Sequence, residues 1–194
     1  MDNLARVSID LPAEEIIEGK TYLMSPRPRP VHTVIVTNIV PIFHSYLKGK
    51  TFRPFSDGMD VHLDDDNVYV PDVMIVCDRS KVHHDGLHGA PDLVVEVLSP
   101  STALHDRGPK MKHYAAAGVK EYWIVLPTSK SVEVYLNEDG RFQIDNIYTD
   151  YDDEDVARMD EKEHAAIRWD IPVSLYDDFR VSVKDVFDDV DDFA

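Results

Sequence analysis

Cysteine is nearly missing from this chain: Cys77 is the only one in 194 residues. A lone thiol allows neither an internal disulfide nor a multi-cysteine zinc site, and it fits a reducing, cytoplasmic setting. Long apolar runs are missing too. No stretch approaches the ~18 residues that a bilayer-spanning helix requires, and MDNLARVSIDLPAEE has no basic start followed by an apolar core, so neither membrane insertion nor secretion is expected. Positive charge is scarce, with 20 Lys and Arg against 37 Asp and Glu, for a formal charge of -17. A protein that grips phosphate backbones nonspecifically normally carries the opposite sign. The acids are unevenly spread, with clusters at Asp150 to Glu163 and Asp185 to Asp192, which leaves room for a local basic groove. Abundant surface acid also fits adaptation to high salt. Internal repeats and Gly/Ser linkers are absent, and 43% hydrophobic content supports one substantial core. The expectation is one domain over residues 1–194, ending in an acidic tail, 185–194.

What is present reads as mixed helix and strand. PAEEIIEG, residues 12–19, has the pattern of a short helix, with proline in its first turn and Gly19 as a stop, followed by KTYLMS as a strand. From Pro30 to Lys48, Ile35, Ile39, Val40, Phe43 and Leu47 recur at helical spacing, and Pro41 is expected to kink or interrupt that helix. VYVPDVMIVC and PDLVVEVLS are rich in β-branched residues and nearly continuously apolar, as strands covered on both faces are. PKMKHYAAA predicts a helix from Pro109 to a stop at Gly118, and EYWIVL and SVEVYLN predict a hairpin joined by PTSK. IRWDIPVSLYDDF and VSVKDVF should return a strand or short helix to the core, with YDDEDVARMDEKEH before them loop-like or weakly helical. This order predicts an α/β (α+β) fold, a mixed sheet flanked by helices.

Asp72 in VPDVMIV and Glu96 in LVVEVL sit in the wrong company. An ionised carboxylate among aliphatic side chains is costly to bury unless a cation or hydrogen-bond donors compensate it. Each could singly face solvent from a half-exposed strand. Two in candidate central strands argue for a shared counterion, because neighbouring strands bring side chains within ~5 Å. Hard oxygen donors suit Mg²⁺ or Mn²⁺, and phosphodiester hydrolysis is the chemistry that follows. Lys110, four residues before Tyr114 on one face of the predicted helix, is the candidate for stabilising charge on the reacting phosphate; the alternative is a surface cation paired with Asp106. Lys112 points elsewhere, toward solvent.

Taken together, EEIIEGKTYLMSP, VPDVMIV, APDLVVEVLSPST and DRGPKMKHYAAAGVKEYWIV resemble the bacterial Uma-two family of restriction-endonuclease-like proteins, within the PD-(D/E)XK nuclease superfamily. The resemblance runs over about residues 12–137, with a weaker match at VSVKDVF. It implies a restriction-endonuclease-like mixed sheet, with Asp72 and Glu96 as metal ligands and the Val97 carbonyl as a further one. Leu98 stands where the superfamily places its lysine, so Lys110 would be the relocated lysine, although Pro109 departs from the family pattern and alters how far that side chain reaches. Glu15 matches an acid on the family's first helix, where it would hold metal-bound water or a second ion; the alternative is a helix-terminus acid. The implied activity is a Mg²⁺- or Mn²⁺-dependent endonuclease acting on DNA, working as a homodimer because cutting both strands takes two sites. Two alternatives stand beside it: a noncatalytic interaction protein with this fold, and a hydrolase of a small phosphorylated molecule.

Other residues compete less well. His83, His84 and His88 with Asp85 form a dense cluster of zinc-ligand types, here expected in a solvated loop. His32, at the start of the long helix, would touch substrate or help fix Glu15, or be only a polar helix-start residue. Ser99, Ser101 and Thr102 lack a GxSxG setting and read as a strand-ending turn. Tyr122, Trp123 and Trp169 read as core aromatics rather than a stacking platform.

Overall fold

The computed structural model describes residues 14–23, 28–56 and 58–193. In chain order the elements are β1 (Glu14–Ile17), β2 (Lys20–Leu23), α1 (Pro30–Leu47), β3 (Arg53–Ser56), β4 (Val61–Asp64), β5 (Asn67–Tyr69), β6 (Val73–Val76), β7 (Val82–His83), β8 (Gly86–His88), β9 (Leu93–Val97), α2 (Ala103–Asp106), α3 (Pro109–Ala117), β10 (Glu121–Leu126), β11 (Ser131–Glu138), β12 (Arg141–Thr149), α4 (Asp153–Arg158), α5 (Glu161–Ala166), β13 (Asp170–Pro172), β14 (Arg180–Ser182) and α6 (Val183–Val186).

Two six-stranded sheets carry the fold. The main one is ordered β12-β11-β10-β9-β6-β3 and the second β2-β1-β5-β4-β8-β7, while β13 and β14 form a separate pair. Within the main sheet β9 and β10 run parallel, so the chain must cross over between them, and that crossover is α2 and α3. Strands β6 and β9 are buried along their whole length, as their continuous apolar runs require. Alternate side chains feed two cores. Val73, Ile75, Leu93, Val95 and Trp123 pack under α1, whose Ile35, Ile39, Phe43 and Leu47 are all fully buried. Met74, Val76, Val94, Tyr122 and Ile124 face the other way, against Tyr114 of α3 and Ile17, Val61, Tyr69 and Leu87 of the second sheet. Glu96 shares the parity of Val94 and so points into that second interface.

Two expectations need correction. Residues 14–17 are a strand, not a helix: Glu18 and Gly19 both adopt positive φ (51° and 74°), which closes a two-residue hairpin onto β2, and Glu15 and Ile17 alternate inward as strand residues do. Gly19 therefore stops a strand, and residues 12 and 13 lie outside the described ones. Helix α1 continues through Pro41, whose ring lies on the exposed side. The acidic tail packs back onto α1. Val186, Phe187 and Val190 are buried, and Asn38 of α1 donates to the carbonyls of Val186 and Asp188 at 3.2 and 2.8 Å. The segment 150–163 forms short helices because Asp152 and Asp160 cap them, the latter in a reciprocal capping box with Glu163.

Candidate functional site

Where β9, the crossover helices and the second sheet meet, one ammonium is ringed by carboxylates. Lys110 Nζ lies 2.9 Å from Glu15 Oε1, 2.9 Å from Glu96 Oε1 and 3.1 Å from Asp106 Oδ1. All four side chains are buried. Each arrives on a different support. Glu96 is on β9, Asp106 ends α2, Lys110 sits one residue into α3, and Glu15 comes from β1 of the other sheet. Pro109 opens α3 at a position where no backbone N–H is needed, and Gly108 permits the turn between the helices: a Cβ there would stand 2.6 Å from the Leu104 carbonyl oxygen. A cation in the first turn of a helix opposes the helix dipole, so carboxylates rather than helix propensity explain the lysine. Glu15 also accepts from the Val70 N–H at 3.0 Å, which ties its strand to the end of β5.

Asp72 stands at the open side of this knot. It directly precedes β6 and continues the β6–β9 register to a place opposite Glu96. Its Oδ2 accepts from the Val97 N–H at 2.6 Å, and its Oδ1 lies 2.9 Å from His32 Nε2 on α1. The Asp72 side chain keeps 16% of its surface accessible against 4% for Glu96, so solvent reaches the group from the Asp72 side. His32 thus stands against Asp72 at the start of α1.

Electrostatics makes the group unusual. Burial pushes the Glu96 carboxyl well above the ordinary range, and Asp106, Asp72 and Glu15 add to the rise while Lys110 opposes it. Burial lowers the proton affinity of Lys110, but Glu96, Asp106 and Glu15 outweigh it and hold the ammonium charged. Glu96 Oε1 remains without a properly directed hydrogen bond despite its short approach to Nζ, as does the buried Tyr114 hydroxyl. Several acids share one internal cation, and Glu96 Oε1 meets it without a well-directed hydrogen bond. That donor set fits a hard divalent cation. The acids do not converge as tightly as an occupied site would require. Among the described residues, the group of His, Cys, Asp or Glu ligand atoms lying within 4.8 Å of one another is His62, Asp85 and His88, elsewhere on the second sheet.

The structure thus brings together Glu15, Asp72, Glu96 and Lys110, with Val97 joined through its N–H. Sequence reasoning treated Asp106 only as a surface partner of Lys110; it is a buried member of the knot, and its spacing of four before Lys110 was the signal. Tyr69, whose hydroxyl lies 2.6 Å from His113 Nδ1 and 2.8 Å from Asn67 Oδ1, was missed altogether. Burial pushes the Tyr69 phenol well up, so it stays neutral beside the acids. The predicted histidine loop is instead the β7–β8 hairpin, with His84 in solvent. Ser99, Ser101 and Thr102 bond to one another in a turn.

A mixed sheet with an acid-and-lysine knot at its crossover defines a restriction-endonuclease-like, nuclease-type fold. A solved structure described as "a putative nuclease belonging to DUF820 from Anabaena variabilis" shares that fold, with a TM-score of 0.67 over 91% of this chain and 90% of that one at 23% identity. The chain belongs to the Uma2 family, described as "Putative restriction endonuclease", which matches residues 9–161. An uncharacterized protein of Synechocystis sp. is 32% identical over 135 residues, 68% of this chain and 70% of that protein. No helix among the described residues is long and apolar enough to cross a membrane.

Proposed function

We propose that this nuclease-like protein is a Mg²⁺- or Mn²⁺-dependent endonuclease that hydrolyses phosphodiester bonds in DNA. One observation carries the reading: three buried acids share one buried ammonium, and a fourth, half-buried acid, Asp72, faces Glu96 across adjacent strands. Asp72 and Glu96, with the Val97 carbonyl, would hold the ion, and Glu15 would hold water or a second ion. When bound, such an ion supplies positive charge at the scissile phosphate and makes a bound water more acidic. His32 orients Asp72. Glu15 and Asp106 position the Lys110 ammonium, which balances the acids and stabilises negative charge on a phosphate entering from the Asp72 side. A homodimer would place two such sites on the two strands of a duplex.

Calorimetry with Mn²⁺ tests the site: wild type should bind, and Asp72→Ala and Glu96→Ala should not, whereas equal binding in all three removes the assignment. Nicking of supercoiled plasmid at low salt, lost in both variants, tests the activity. The charge of -17 favours a second reading, a noncatalytic interaction protein on the same fold. Metal binding without cleavage of any DNA or RNA would support it.

A further inference from the structure

We infer that the outer face of the second sheet carries a separate site for a borderline transition-metal ion, zinc being the representative, built by His62, His88 and Asp85 with His83 beside them. It does not depend on the nuclease reading. His62 on β4 and His88 on β8 are directly paired across parallel strands, so their side chains leave the sheet on the same side. Their rings lie 4.7 Å apart and within 20° of parallel. Asp85 Oδ1 is 3.1 Å from His88 Nε2, and ligand atoms of His62, Asp85 and His88 all fall within 4.8 Å of one another. The His83 ring stands 4.7 Å from that of His88.

The backbone enforces this convergence. Gly86 has φ of +139°, and a Cβ there would come within 2.4 Å of the Asp60 carbonyl oxygen, so only glycine lets the β7–β8 hairpin press against the start of β4. Leu87 N–H donates to the same Asp60 carbonyl at 2.7 Å, which locks the register that places His88 beside His62. Val61 and Leu87, one residue earlier on each strand, are fully buried on the inner face, so the imidazoles must point outward. Glu15 and Ile17 face that inner side, which separates this cluster from the acid knot by the thickness of the sheet.

Two or three imidazoles and one carboxylate are the donor set of a tetrahedral zinc site, whereas Mg²⁺ prefers oxygen. A hollow lined by Ile16, Leu63, Asp64 and Val68 opens beside the pair, so a remaining coordination position is reachable by water. An ion held by both strands and the hairpin would clip β4, β7 and β8 together, and so brace the sheet that delivers Glu15.

Calorimetric titration of the full chain with Zn²⁺ tests this. We expect a Zn²⁺ equivalent that is weakened roughly tenfold or more in His62→Ala and in His88→Ala and retained in Glu96→Gln, whatever Zn²⁺ the acid knot takes up besides. Zn²⁺ should raise the melting temperature of wild type and Glu96→Gln but not of the histidine variants. Co²⁺ in place of Zn²⁺ should give visible absorption of the intensity typical of tetrahedral sites, lost in the same variants. Both histidines lie on the outer face, and circular dichroism checks that each variant keeps its fold. No Zn²⁺ binding by wild type, or binding lost in Glu96→Gln and kept in a folded His62→Ala or His88→Ala, overturns the proposal.

Discussion

Replacing Lys110 by methionine removes the cation that Glu15, Glu96 and Asp106 contact together while nearly conserving volume. The lysine and all three acids are buried, so water cannot take over its role. Breaking a buried ionic group by deleting one partner typically costs about 3–5 kcal/mol. For a chain of this size that corresponds to a melting temperature lower by roughly 6–20 °C. Glu15 retains the Val70 N–H, so the loss falls mainly on Glu96 and Asp106. The deficit should depend on pH. Burial already raises the Glu96 carboxyl, and without Lys110 nothing in the knot opposes that rise, so the variant's fold takes up protons that the unfolded chain does not hold at neutral pH. Stability carried by a raised carboxyl is present at low pH and lost as pH rises, so Lys110→Met should recover relative to wild type between pH 7 and pH 5. Adding Glu96→Gln should restore about 0.5–3 kcal/mol through coupling. Urea unfolding of the single and double variants at the two pH values measures all of this. A Lys110→Met cost below ~1 kcal/mol at pH 7, with a wild-type pH slope, would refute the picture of a charge-balanced knot.

Other perturbations have defined outcomes. Burial raises the Glu121 carboxyl against hydrogen bonds from Ser174 and Trp123, so its share of stability is present below the ordinary carboxylate range and lost as pH rises through the raised value; Glu121→Gln should flatten that part of the wild-type slope in thermal melts. The same change leaves one acceptor oxygen where two now serve Trp123 and Ser174, so either the Trp123 indole N–H or the Ser174 N–H faces an amide NH2, at a cost of about 1–3 kcal/mol. Gly86→Ala should destabilise by at least ~1–3 kcal/mol in urea titration, from both its φ and the clash with Asp60. His32→Ala should leave folding nearly intact but weaken Mn²⁺ binding about 10–100-fold by calorimetry, because Asp72 loses the ring that orients it. Unchanged Mn²⁺ affinity would remove His32 from the site.

Continuous apolar runs with a single acid in each marked β6 and β9 and singled out Asp72 and Glu96, because such strands have no solvent face on which to leave a charge. Helical spacing marked α1 and α3 for the same kind of local reason. At Glu14–Ile17 local reasoning misled: acids after a proline resemble a helix start, and a glycine ends helices and hairpins alike, so pairing with β2 and β5 decided the matter. The knot itself was invisible as a unit. Glu15 and Lys110 are 95 positions apart, and only the stacking of the second sheet against the crossover makes them partners. Asp106 changed from surface ion pair to buried counter-charge by the same packing, since periodicity says which face a residue shares and not what covers that face. The histidines show the limit most clearly: VHHDGLHG declares its ligands, but His62, the member contributed by a neighbouring strand, enters only through sheet register. Residue types and spacing determined which chemistry was available along this chain, and long-range pairing decided which of those groups share a charge.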